Sequence, residues 1–466
     1  MACAGDRNRP PLVLGRMVTG VVPTLLFRCC LPRVFFVSRY MPRVLYTLLL
    51  YALLPLIVLR QWWRGRGQAV AIGSLAARFG FVPTTPAGAP SPVWLHCVSV
   101  GETVAAEPLI EALLASGETL LVTSTTYTGA ARVQARFGAR VRHCFMPYDT
   151  PVAVARFLAR IRPCQLVILE TELWPNLLHA CSRRGIPALL VNARLSARSA
   201  RGYARTGALA RNMLAALAAV STQTRADAAR FLALGVSPAR VHVNGNLKFD
   251  VAVDPLAAAR AAALRAEFGA RPVWIATSTH AGEDEIVLAA HRAICRNFPE
   301  ALLVLVPRHP ERFDDVAELI VRSGFACARR ARGELPSART TVYLGDTMGE
   351  LPLLYGLADV AFVGGSLVPV GGHNLVEPAA LGLPLLAGPH LFNFQQIADD
   401  LRAAGALDIT ADAAALVVKV TNLFGSDSAR TAAGRKGRDY VAANRGACER
   451  TLALTHTLRA TSLPSI

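Results

Sequence analysis

The chain has 466 residues, 53% hydrophobic and 18% charged, with a formal net charge of +18. That length allows two or three domains, and the composition suits a globular protein with large cores and some membrane contact. The basic surplus favours anionic partners such as a phospholipid surface or phosphorylated substrates. It is nearly all arginine, a bias that genome composition also produces; the only lysines are Lys248, Lys419 and Lys436. With no aromatic-interleaved basic stretch and no zinc-finger spacing, nucleic acid is excluded as a partner. Ten cysteines without a C-x-x-C pair exclude a disulfide framework and a zinc site, and fit a reducing compartment.

The first forty residues carry apolar pieces broken by Arg28, Arg33 and Arg39. They lack the clean apolar core and small-residue cleavage site of a signal peptide, and Met41 is an alternative start. From Val44 to Leu59 the chain reads VLYTLLLYALLPLIVL, between Arg43 and Arg60, with Trp62, Trp63 and Arg64 following. The run falls short of the ~20 residues of a spanning helix, but its flanks resemble an interfacial belt. A membrane anchor over 44–66, spanning or half-buried, is expected; the alternative is a core helix.

Beyond Pro92, short apolar runs alternate with helical patterns. WLHCVSV, TLLVTSTT, QLVILET, ALLVNAR and AAVSTQT form one series of strand candidates. PVWIATST, ALLVLVPRH, TTVYLGDT, VAFVGGS and LPLLAGP form a second, after a break at NLKFDVAVDPLAAAR. Continuous apolar strands separated by helices predict parallel sheets covered on both faces. The reading is α/β, with two doubly wound domains over 67–252 and 253–466 joined near Asp250 to Pro255. Thr-Ser-Thr ends a strand candidate in each half, a faint internal echo. Ligands of such sheets bind beyond the carboxyl ends of the strands.

Three strings there fit helix capping boxes: Ser99 to Glu102, Thr347 to Glu350, and Asn374 to Glu377 with asparagine as the cap. In each, the first residue would bond the N3 amide and the glutamate would reach back to the cap's own amide. Capping alone explains one such string better than three, all after strands and all near glycines. Gly364, Gly365, Gly371 and Gly372 bracket a loop whose amides would cradle a phosphate, with Glu377 accepting from ribose hydroxyls. Arg308 and His309 end another strand candidate, where arginine can hold phosphate or form a surface ion pair. No P-loop or strand-linked G-x-G-x-x-G occurs, which argues against an ATPase or a dehydrogenase.

In the first half, Glu170 and Glu172 close a strand candidate and would share one strand face. A metal there lacks histidine support. Arg194, Arg198, Arg201 and Arg205 offer a surface for a phosphorylated acceptor, or simply a solvated helix face. Lys248 follows a strand candidate in a chain that otherwise uses arginine.

The strings SVGE, ETELWPN, NARLSARS, GNLKFD, ATSTHAGE, PRHPERF, GDTMGEL and FVGGSLVPVGGHNLVEPAALGLP, in this order, resemble the 3-deoxy-D-manno-octulosonic acid (Kdo) transferases. The likeness runs from about Arg43 to the C-terminal helices, leaving residues 1–43 as an extension. It implies a GT-B glycosyltransferase with two facing Rossmann-like domains, a deep interdomain cleft and an N-terminal membrane anchor. It also implies transfer of Kdo from CMP-Kdo to a lipid A precursor (lipid IVA), releasing CMP, with inversion and without a metal or other cofactor. The expected place is the cytoplasmic face of the bacterial inner membrane, with its anionic surface as partner. The family's base falls on Glu102 and its transition-state helpers on Glu170 and Lys248. The CMP contacts fall on Pro307, Arg308, Met348, Gly349, Glu350, Asn374, Leu375, Val376 and Glu377. Two rivals stand beside this: another nucleotide-sugar transferase or epimerase on the same fold, and a membrane-attached lipid-binding scaffold without turnover.

Overall fold

The computed structural model describes residues 41–64, 71–250 and 255–462. The expectations placed on residues 1–40, on the end of the anchor at 65–66 and on the joint at 251–254 lie outside the described residues.

Two seven-stranded parallel sheets organise the chain. The first holds β1 (Val93–His96), β2 (Leu120–Ser124), β3 (Arg142–Phe145), β4 (Gln165–Leu169), β5 (Ala188–Ala193), β6 (Ala219–Thr222) and β7 (Val241–Val243). The second holds β8 (Val273–Thr279), β9 (Leu302–Pro307), β10 (Cys327–Arg329), β11 (Val342–Leu344), β12 (Val360–Val363), β13 (Leu385–Ala387) and β14 (Leu407–Ile409). Their orders are β3-β2-β1-β4-β5-β6-β7 and β10-β11-β9-β8-β12-β13-β14. Helices cover both faces, so every residue of β1, β2, β4 and β5 is buried and the central strands carry no polar alternation. Trp94 and Trp274 are fully buried in corresponding places, their indole N–H groups satisfied by Thr123 Oγ1 at 2.8 Å and His291 Nδ1 at 3.1 Å. The two Thr-Ser-Thr strings end β2 and β8, which hold different positions in their sheets, so the echo does not mark equivalent strands.

The last helix, Ala447–Ser462, returns to the first sheet's domain, although the sequence reading grouped the C-terminal helices with the second. Asp250 accepts the Gly446 and Cys448 amides at 2.6 Å each, fixing the start of that helix. Ala447, Leu452 and Leu458 pack into the core beneath Leu109 and Leu113, and Arg459 pairs with Glu118.

The N-terminal helix spans Met41–Arg64 and runs through Pro55. It outgrows the apolar run because the flanking polar residues continue the same helix; 24 residues at ~1.5 Å each reach about 36 Å. Pro42–Gln61 has a mean hydropathy of 1.9, and its length and composition suffice to cross a bilayer. Leu45, Leu48, Leu56 and Leu59 are exposed. Near its start the helix is tied to the first domain. Arg43 Nη1 donates to Asn176 Oδ1 at 3.0 Å, and Asn176 Nδ2 lies 2.9 Å from Thr47 Oγ1. Asp149 holds Asn176 in place by accepting its backbone amide at 2.9 Å and that of Leu177 at 2.7 Å.

Candidate active site

Strand order reverses between β1 and β4 in the first sheet and between β8 and β12 in the second. Crevices open at such reversals beyond the carboxyl ends of the strands, because the loops on either side diverge. The expected site residues Glu102 and Glu170 follow β1 and β4, which pair directly, with His96 opposite Ile168.

Ser99 caps the helix Val100–Ala115, its Oγ accepting the Glu102 amide at 3.4 Å. The reciprocal bond differs from the expected box. Glu102 Oε2 accepts the Val98 amide at 2.7 Å, one residue before the cap, because Ser99 is extended (φ −127°, ψ 171°) and leaves the Val98 N–H facing the carboxylate. Glu102 is buried, and burial pushes its carboxyl up to about 8. The Val98 amide works against that rise, while the charges of Glu170 and Glu172 add to it. The fold thus desolvates this acid by itself, before any acceptor covers it.

Glu170 does not continue β4. The strand stops at Leu169, and Glu170 turns with φ +57°, its amide held by the Val191 carbonyl at 2.9 Å. A non-glycine residue there costs of order 1–3 kcal/mol. Strand alternation therefore never reaches Glu172, and a turn sets the two acids, correcting the expectation of one shared strand face. Burial, then the Glu170 charge, raises the Glu172 carboxyl.

Lys248 lies on a single 3-10 turn, Leu247–Phe249, capped by Asn246, with Nζ 5.2 Å from the Phe394 ring of the second domain. Asn192, at the end of β5 with φ +52°, accepts the Leu247 amide on Oδ1 at 3.1 Å. The Glu170 and Lys248 turns are thus fastened to neighbouring residues of β5.

In the second domain, Pro307 is the last residue of β9, and the exposed Arg308 donates its amide to the Thr279 carbonyl at 3.0 Å. Met348 is exposed and Gly349 has φ +82°. The expected box at Thr347 does not form. The helix starts at Leu351, and the Thr347 hydroxyl donates to Glu350 at 2.8 Å. Arg330 grips both Glu350 oxygens at 2.9 Å, holding that carboxyl down to about 2. The third box is also altered. Asn374 Oδ1 accepts the Val376 amide at 3.0 Å, while its amide group donates to Glu377 at 2.9 Å. Leu375 and Val376 bury their side chains, leaving only backbone to face a ligand. Glu377 is raised, chiefly by burial.

The four glycine amides of the loop after β12 are spent internally, which corrects the expected phosphate cradle. Gly364 donates to Thr277 O at 2.7 Å, Gly365 to Glu283 at 2.6 Å, and Gly371 and Gly372 to Gly365 O at 3.1 and 2.7 Å. Glu283, fully buried, also accepts the amides of His280, Ser366 and Leu367 at 2.8–2.9 Å. Sequence reasoning singled out neither Glu283 nor Asn192. The only signal was a glutamate three residues after His280, whose amide it accepts; its other three partners lie more than eighty positions away.

Comparison with known proteins identifies the family and the fold. Residues 73–251 match the family described as 3-deoxy-D-manno-octulosonic-acid transferase (kdotransferase). The chain is 42% identical to the 3-deoxy-D-manno-octulosonic acid transferase of Haemophilus influenzae, covering 82% of this chain and 90% of that one. It is 43% identical to that of Bordetella pertussis, covering 88% and 98%. In fold it is similar to the UDP-GlcNAc 2-epimerase of Neisseria meningitidis (TM-score 0.53, 14% identity, 78% of this chain and 100% of that one). It is also similar in fold to a glycosyltransferase of Rickettsia africae (TM-score 0.52, 13% identity, 81% and 100%). Those two likenesses establish the two-domain GT-B architecture. The chain belongs to the Kdo transferase family, glycosyltransferases of lipopolysaccharide biosynthesis.

Proposed function

We propose that the protein transfers Kdo from CMP-Kdo to a lipid A precursor, lipid IVA, releasing CMP with inversion at the anomeric carbon. The observation that carries the mechanism is Glu102, a buried carboxyl raised to about 8 where the first sheet reverses its strand order. Ionised, such a group is a stronger base than an ordinary carboxylate. It takes the proton of the acceptor hydroxyl as the oxygen attacks the anomeric carbon and the CMP phosphate leaves from the opposite side. Glu170 positions the acceptor beside it. Arg308 and Lys248 meet the phosphate, so no step is assigned to a metal ion. Pro307, Met348, Gly349 and Glu350, with Asn374 to Glu377, line the cytidine side.

The acceptor's phosphates meet Arg194, Arg198, Arg201 and Arg205, all exposed and, among the described residues, without an acidic partner. Arg198, Arg201 and Arg205 lie on the helix Ala197–Arg205, whose Tyr203 hydroxyl donates to the Thr171 carbonyl beside Glu170 at 3.4 Å; Arg194 precedes the helix, its carbonyl accepting the Thr171 hydroxyl at 2.9 Å. The N-terminal helix and the net charge of +18 support work at the anionic cytoplasmic face of the inner membrane. Donor competition tests the reading. CMP is expected to inhibit transfer to lipid IVA and UDP to leave it unchanged; inhibition by UDP but not CMP overturns the donor assignment.

A further inference from the structure

Three histidines gather beyond the second sheet's reversal point, and the mechanism above uses none of them. His280 follows β8, His309 follows β9, and His373 lies in the loop after β12. His280 Nε2 and His373 Nε2 are 2.9 Å apart, their rings parallel to 2° with centroids at 5.1 Å. The His309 ring stands at 80° to that of His280, with centroids at 5.1 Å. Two ring nitrogens make such a contact only if one carries a hydrogen and the other a lone pair. A second proton would set two N–H groups head to head and break the contact.

The surroundings indicate what would replace that contact. The amides of Gly364, Gly365, Gly371 and Gly372 in the same loop are consumed internally, which leaves the side chains there to meet an anion in their place. Arg308 is exposed and, among the described residues, has no ion pair. Gly365 is glycine because a Cβ there would lie 2.8 Å from the His373 ring, which is seated against the loop backbone. Burial is the first cause keeping both histidines neutral. Glu283 favours the His280 cation, while His309, Arg312 and Arg308 oppose it. Arg308, His280 and His309 all oppose a charge on His373.

Resting on the CMP-Kdo reading, we propose that His280 and His373 form a proton-coupled clamp for an anionic group of the donor. Empty, the pair closes on itself. When the donor enters, a solvent proton adds to the lone pair of the accepting ring and the rings part. Two N–H groups then hold the oxygens of the donor's phosphate or of its sugar carboxylate. No bond to carbon forms or breaks in this step.

Calorimetric titration of the full-length protein with CMP at about pH 7, in two buffers of different ionisation heat, counts the protons. CMP's own uptake is common to wild type and variants, so the difference between them belongs to the protein. Wild type is expected to take up more protons than His280→Gln or His373→Gln, and to bind CMP about tenfold or more tightly. Its affinity is expected to fall between about pH 6 and about pH 8, and the variants to flatten that fall. Titration with Kdo separates the two sources: an effect confined to Kdo places the sugar carboxylate in the clamp. Because the proton count on wild type needs no variant, uptake no greater than the ligand's own with both CMP and Kdo overturns the clamp. Folded variants that match wild type with both ligands overturn it too, while Kdo transfer by wild type keeps the donor assignment standing. A wild type that binds neither ligand overturns both.

Discussion

Asn192 Oδ1 accepts the Leu247 amide at 3.1 Å, so a residue near the carboxyl end of β5 also fixes the turn bearing Lys248. Beside it, the Val191 carbonyl holds the amide of Glu170. Asn192→Ala would strand the buried Leu247 N–H and place alanine at φ +52°. The loss is expected to be about 2–4 kcal/mol of stability, read by urea denaturation. Transfer should slow more than CMP binding weakens, because Lys248 is displaced while the second domain is untouched.

Glu283 serves four amides with two oxygens. Glu283→Gln replaces one acceptor by a donor that faces N–H groups. At roughly 1–3 kcal/mol for each orphaned buried amide, a cost of about 3 kcal/mol or more is expected. Calorimetric unfolding and CMP titration check this. A variant that melts like wild type would refute the claim that this carboxylate holds the loop.

The Glu102 carboxyl fixes a pH dependence. If its ionised form is the base, kcat/KM should rise with pH to an inflection near 8. Removing the neighbouring charge with Glu170→Gln should move that limb to lower pH, since Glu170 contributes to the rise. Stability follows the opposite sign. The native state favours the protonated acid, so stability is lost as pH climbs from the unfolded value of 4.5 through about 8. The melting temperature of Glu102→Gln should therefore gain on wild type across that window. A constant difference would contradict the shift.

Asn176 joins the N-terminal helix to the first domain through Arg43 and Thr47. Asn176→Ala removes these bonds and the one its amide group donates to the Asp149 carbonyl at 2.7 Å. A loss of about 1–3 kcal/mol is expected. Transfer to a lipid acceptor in micelles should fall while CMP affinity holds, which paired assays on one preparation will show.

The central strands were legible because strands buried on both faces read as unbroken apolar runs. β3, β10 and β14 had no counterpart among the sequence candidates, and β7 had only the short one before Lys248. All four are edge strands. Their sequences, RHCF, CAR, LDI and VHV, are short and mixed because an edge is only partly covered. The Ser99 cap was legible because its partners lie within four residues. At Thr347 the expected box gave way to Arg330, seventeen positions earlier, which claims the Glu350 carboxylate. Glu283 was invisible for the same reason: what makes a buried carboxylate tolerable is a set of amides that only the fold brings to it. The left-handed turn at Glu170 likewise has no sequence signature, and at Asn192 the only one is asparagine's tolerance of that region.

The central claim is that Glu102 is the base of a Kdo transfer. It is tested most directly by radiolabelled transfer from CMP-Kdo to lipid IVA, comparing wild type with Glu102→Gln, both verified as folded and CMP-binding. Wild type is expected to transfer, and the variant to be slower by roughly a hundred- to ten-thousand-fold with CMP affinity unchanged. A folded variant that keeps most of the wild-type rate would contradict the account, reducing Glu102 to the cap of its helix.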